Sequence, residues 1–109
     1  MYKDYIESRT PNRFVVEDSK GFYTYYINGP ECFLEDLYVT PEHRNKGVAS
    51  GYQYDLLCRA KNEYGCKWMK CNIVIGANMA EESAQAILKN GYKFSSANGV
   101  YVFFKKELE

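Results

Sequence analysis

Short runs of alternating apolar and polar residues fill the first third of the chain, separated by turn-forming pairs. "FVVED" (14–18) reads as a strand, "DSKG" as a turn, "FYTYYI" (22–27) as a second strand and "CFLEDLYV" (32–39) as a third. Asn28-Gly29 is a strong hairpin signal because both residues tolerate positive φ. Three strands joined by tight turns predict an antiparallel meander. Residues 1–13 are polar and mixed, and predict a short helix or strand ending before Thr10-Pro11.

After Pro41 the period changes. Val48, Tyr52, Leu56, Ala60 and Tyr64 recur every fourth residue, with Ala49 and Leu57 beside them, so 47–64 predicts an amphipathic helix capped by Gly65. "KWMKCNIVI" (67–75) reads as a strand that a helical crossover sets parallel to the third. Residues 79–90 predict a second helix. "YKFSS" and "VYVFFKKEL", separated by Asn98-Gly99, predict a terminal hairpin. The fold class is α/β of the mixed α+β kind, in the order β-β-β-α-β-α-β-β. Its mixed sheet contains one parallel βαβ step, within a single domain spanning 1–109.

Composition narrows the function. Hydrophobic residues make up 46% and charged residues 26%, with a formal net charge of zero. That balance gives no field to attract nucleic acid or an anionic membrane, so neither is an expected partner. No apolar run is long enough to cross a bilayer, and "MYKDYIESRTPNRF" lacks the apolar core of a signal peptide, which makes the expected location cytoplasmic. The four cysteines (Cys32, Cys58, Cys66, Cys71) form no CxxC pair, and the single histidine, His43, sits in a basic turn. They read as packed free thiols and not as metal ligands.

Chemistry concentrates in "LYVTPEHRNKGVASG" (37–51). A strand feeds a basic turn with a glycine, and a helix follows. A helix N-terminus presents unpaired N–H groups and partial positive charge. Gly47 lets an anion approach the backbone, and Arg44 and Lys46 add charge. A solvated basic turn that merely starts a helix has the same texture. On the strand before it lie two acids. By simple alternation Glu35 shares a face with Phe33, Leu37 and Val39, and Asp36 with Leu34 and Tyr38. A carboxyl set among apolar neighbours suits a general base.

Arg44-Asn45-Lys46-Gly47-Val48-Ala49 matches the Arg/Gln-x-x-Gly-x-Gly/Ala signature, and the chain is similar to the GNAT N-acetyltransferase superfamily. "LEDLYVTPEHR" resembles that family's fourth strand and exit loop, "IVIGAN" its fifth strand ending at Asn78, and "ILKNGYKF" the close of its last helix. The "LED" stretch is similar to that of diamine and polyamine acetyltransferases. The likeness extends over residues 14–107 with the elements in the same order.

The resemblance implies an acyl-CoA donor, acetyl-CoA, and a primary amine as acceptor. It implies that amides of Arg44, Asn45, Lys46, Gly47, Val48 and Ala49 bind the pyrophosphate. The main chain of Leu37, Tyr38 and Val39 pairs with the pantetheine arm where two strands splay, and Asn78 and Ser83 approach the donor. Glu35 is the favoured base, acting directly or through water, with Asp36 second. The leaving thiolate is protonated by a tyrosine in many relatives. Counting back from Gly91-Tyr92 lands on Ile87, and counting from Asn78 lands on Gln85. Tyr92 and Tyr101 are the substitutes in reach. Only thirteen residues precede Phe14, fewer than the strand and helices that wall the family's acceptor site. The acceptor side is thus expected to be open, suited to a protein lysine or completed in a homodimer. The alternatives are a catalytically silent protein that binds CoA or a partner, and a polyamine-like small-amine acetyltransferase. An unrelated nucleotide binder lacks support, because neither Walker nor dinucleotide spacing is present.

Overall fold

The computed structural model describes residues 2–9, 12–76 and 80–108. Its elements are α1 (Tyr2–Arg9), β1 (Arg13–Asp18), β2 (Gly21–Asn28), β3 (Glu31–Val39), a 3-10 turn (Pro41–His43), α2 (Val48–Asn62), β4 (Trp68–Val74), α3 (Ala80–Lys89), β5 (Lys93–Asn98) and β6 (Tyr101–Glu107). The six strands form one sheet in the order β1-β2-β3-β4-β6-β5, in which β3 and β4 run parallel across the α2 crossover. The strand meander, the βαβ step and the terminal hairpin follow the sequence pattern. The order differs by one element, since α1 precedes β1. Its packing explains why the polar sequence folds there: Glu7 Oε2 accepts the Val15 amide at 3.1 Å, and Val15 is buried. No helix among the described residues is long and apolar enough to cross a membrane.

One sheet face carries the core. Leu56 and Ala60 of α2 and Ile87 of α3 join Tyr23, Tyr25, Cys32, Met69 and Cys71 in a single buried cluster. Leu56 and Met69 are fully buried, and each such side chain contributes about 1.5–3 kcal/mol. Burial pushes the Cys32 and Cys71 thiols up to about 12, so these sulfurs pack as neutral, unreactive groups. The Tyr23 hydroxyl donates to Asp55 of α2, which Arg59 Nε also reaches at 3.0 Å. Burial alone would raise the Asp55 carboxyl, but these two donors outweigh it and hold it below the usual range. The triad ties α2 across β2.

The opposite face carries the half-buried Tyr26, Phe33, Lys70 and Phe103 and the exposed Tyr101. Near its centre a β-bulge breaks the alternation. Tyr25 faces Leu34 and Thr24 faces Asp36, leaving Glu35 as the extra residue on β3. Cys32 and Leu34 therefore point to the core before the bulge, and Leu37 and Val39 after it. This corrects the faces expected from simple alternation: Glu35 stays with Phe33 but parts from Leu37 and Val39, and Asp36 parts from Leu34. Beyond the bulge β3 is clamped to β2 at Gly21, where a Cβ would come within 1.9 Å of the Tyr38 carbonyl oxygen. Only glycine permits that approach.

Candidate active site

The parallel pairing of β3 with β4 runs from Glu31↔Trp68 to Leu34↔Cys71 and stops there. β4 continues along β6, with Asn72, Ile73 and Val74 opposite Phe103, Val102 and Tyr101. β3 continues along β2 to Val39. The two strands diverge, and no described strand pairs with the exposed edge of β3 from Glu35 to Val39. Leu37, Tyr38 and Val39 lie on that edge. Main-chain groups there need partners, and an extended ligand can supply them as an added strand. One is already met within the protein, because Arg44 Nε donates to the Val39 carbonyl at 2.9 Å.

The turn after β3 is built for a close backbone approach. Thr40 Oγ1 and His43 Nδ1 lie 2.6 Å apart and close the 3-10 turn. Arg44 is extended; Asn45 (φ 61°) and Gly47 (φ 82°) take left-handed conformations that asparagine and glycine tolerate best. α2 then starts at Val48 with no side-chain cap and no acid in its first turn. Its first intrahelical bond is donated by Gly51 to the Gly47 carbonyl at 3.0 Å, so the amides of Val48, Ala49 and Ser50 have no helical acceptor. A Cβ placed on Gly47 would meet nothing within 4 Å. Open space, unpaired amides and the positive helix end fit a diphosphate. Lys46 is exposed beside it. Arg44 does something the sequence did not disclose: besides its bond to Val39 it lies 5.6 Å from the centre of the Tyr38 ring, bracing the turn against β3.

Glu35 has an arginine for a partner. Arg13 of β1 pairs with its carboxylate: Nη2 donates to Oε2 at 2.7 Å, and Nε lies 2.5 Å from Oε1 as an ion pair. The pair is half-buried on the open face, where the bulge projects it. Asp36 faces solvent, while its amide donates to Thr24 Oγ1 at 3.1 Å. Tyr92 is 5% exposed, and burial, followed by the nearby Cys71 and Cys32, drives its phenol well above the usual range. It belongs to the packing beneath the sheet. Tyr101 is 47% exposed and pairs with Val74, at the end of β4 that has left β3. Asn78 lies outside the described residues. Ser83 falls within α3, and its side chain is likewise outside them.

Three features were not read from the sequence. Arg13 lies twenty-two positions from Glu35, a pairing set by the β1–β2–β3 register. Gln53 of α2 is 8% exposed, and its Oε1 has no hydrogen-bond partner among the described residues. Its signal was present, since it lies three positions before Leu56 and seven before Ala60, on the helix stripe that faces the core. The third is an open cavity of about 290 Å³ on the open face, where Tyr26, Phe33 and Phe103 stand beside Glu31, Lys70, Ser95 and Ser96.

The splayed strands, the amide-lined turn and the acid at the bulge can be set beside known proteins. The acetyltransferase (GNAT) family model matches residues 2–91. The chain belongs to this family. A search of curated proteins returned no match. Solved structures share the GNAT fold at low identity. A GNAT acetyltransferase from Elizabethkingia anophelis with acetyl-CoA bound superposes with a TM-score of 0.76 at 15% identity, over 97% of this chain and 83% of that one. The PaiA N-acetyltransferase of Thermoplasma acidophilum, in complex with coenzyme A, gives 0.76 at 17%, over 97% and 67%. The spermidine/spermine N-acetyltransferase SpeG of Vibrio cholerae gives 0.72 at 15%, over 95% and 72%.

Proposed function

We propose that the protein transfers the acetyl group of acetyl-CoA directly to a primary amine, with a lysine on a protein as the acceptor that best suits its open sheet face. The observation that carries this is the end of β3–β4 pairing at Leu34 and Cys71, just where the acid-bearing bulge begins and a few residues before the amide-lined turn. An acyl-CoA donor lies with its pyrophosphate on the amides from Lys46 to Ala49 and its pantetheine arm along Leu37–Val39. The thioester then sits in the divergence beside Glu35.

The amine nitrogen attacks the thioester carbonyl, the C–N bond forms, the C–S bond breaks, and CoA leaves as thiolate. Magnitudes decide which proton matters. An alkylammonium of pKa about 10.4 costs about 4.6 kcal/mol to deprotonate at pH 7. A thiol of pKa about 8.5 costs only about 2 kcal/mol to release as thiolate. A base is therefore worth more than an acid here. Glu35, steadied by Arg13, accepts the ammonium proton directly or through water; Asp36 is the second candidate. Tyr101 is the phenol in reach of the open side for the thiolate, and buried Tyr92 is assigned no proton.

The Oε1 of Gln53 is a buried acceptor with no hydrogen-bond partner among the described residues. Replacing it with leucine removes a buried unsatisfied group worth about 1–3 kcal/mol. Gln53→Leu is expected to raise the melting temperature, which thermal unfolding of the two proteins checks.

The transferase reading is tested by following thiol release from acetyl-CoA with and without a lysine peptide. Amine-dependent release supports it. Tight CoA binding with no release under any amine would favour the silent, occupancy-based reading.

A further inference from the structure

We infer that the β1–β2 turn braces the donor site: Asp18 and Lys20 hold the two ends of segment 40–52, and Asp18 and Tyr52 are positioning residues for CoA. This rests on the proposed placing of the donor and adds the side chains that keep its turn in shape.

The residues proposed to meet the pyrophosphate, Lys46 to Ala49, stand on chain with little stiffness of its own. Asn45 and Gly47 are left-handed, α2 begins without a side-chain cap, and Gly51 weakens its first turn. Two hydrogen bonds to one turn offset this. At the near end the Lys20 carbonyl accepts the Thr40 amide at 2.8 Å, where β3 gives way to the 3-10 turn. At the far end the Tyr52 hydroxyl donates to Asp18 Oδ1 at 2.7 Å. Asp18 and Lys20 are themselves tied, since the Lys20 amide donates to that same oxygen at 2.8 Å. All of segment 46–49 lies between the two anchors.

The strut from Tyr52 is directed. Tyr52 follows Val48 by four positions and Ala49 by three, so it stands on their side of α2. Its ring lies 5.4 Å from that of Tyr23, which is fully buried. Burial, and then Asp18, pushes the Tyr52 phenol up to about 12, so it stays a donor. The Tyr52 hydroxyl, and then the Lys20 amide, holds the Asp18 carboxyl below the usual carboxylate range, so it stays an acceptor. A loop already held in its binding shape loses less freedom when a ligand arrives, so the brace acts on affinity and not on the chemical step.

Calorimetric titration with CoA tests this without needing turnover. Tyr52→Phe keeps the ring and removes the hydroxyl; Asp18→Ala removes the acceptor; Asp18→Asn keeps an oxygen for both donors. Tyr52→Phe and Asp18→Ala are each expected to weaken CoA binding about fivefold. The double variant should lose no more than either single one, because both break the same bond. Asp18→Asn should bind within about twofold of the unmodified protein. A merely structural role would instead lower the number of binding sites per chain and leave the affinity of the folded fraction unchanged. That outcome, additive losses, or an Asp18→Asn variant as weak as Asp18→Ala overturns the brace alone. Failure of the unmodified protein to bind CoA overturns the placing of the donor and the brace with it.

Discussion

Gly47→Asp is expected to lower CoA affinity by at least about 100-fold, equivalent to about 2.7 kcal/mol. The new carboxylate would stand at the open start of α2, where the pyrophosphate is proposed to meet unpaired amides. Two effects must be separated, because any side chain at φ 82° is strained. The strain costs about 1–2 kcal/mol, and each kcal/mol lowers the melting temperature of a domain this size by about 4–8 °C. Gly47→Asn carries similar strain without the charge, and its Cβ also meets open space. Calorimetric titration of CoA should therefore show a large loss for aspartate and a several-fold loss for asparagine, with similar melting temperatures. Equal losses would mean that the turn binds no anion.

Glu35→Gln is expected to cut kcat by about 10²–10⁴-fold, the usual span for a general base, with the KM for acetyl-CoA within about twofold. Glutamine keeps the shape and can still accept from Arg13, but it cannot take a proton. The signature is in the pH profile: the residual rate of the variant should rise with pH across the measured range, as more amine deprotonates unaided. Asp36→Asn serves as the comparison. If it loses more than Glu35→Gln, the base is the solvent-facing acid and not the one the bulge directs to the open face.

How far the sequence reaches is plain from particular residues. Asn28-Gly29 and Asn98-Gly99 marked both hairpins, because turn chemistry is local. The every-fourth-residue stripe from Val48 to Tyr64 marked α2, because a helix face is written in its own segment. The basic turn with Gly47 was legible for the same reason. What escaped depends on partners distant in sequence. The bulge at Glu35 is a two-against-one count between β2 and β3, which β3 alone cannot express. It moved Leu37 and Val39 to the core side, and the β1–β2–β3 register gave Glu35 an arginine partner. The helix α1 has too few apolar residues to announce itself and is fixed by Glu7 reaching the β1 backbone. The cavity on the open face is assembled from β2, β3, β4, β5 and β6, which only the sheet order brings together.

The central claim is that the donor lies along the diverging edge of β3 and over the start of α2. Amide hydrogen exchange with and without saturating acetyl-CoA tests it directly. Slowed exchange is expected at Leu37–Val39 and at Gly47–Ser50, with the β1–β2 hairpin unchanged. Saturation by acetyl-CoA that leaves both stretches exchanging as in the free protein would contradict it.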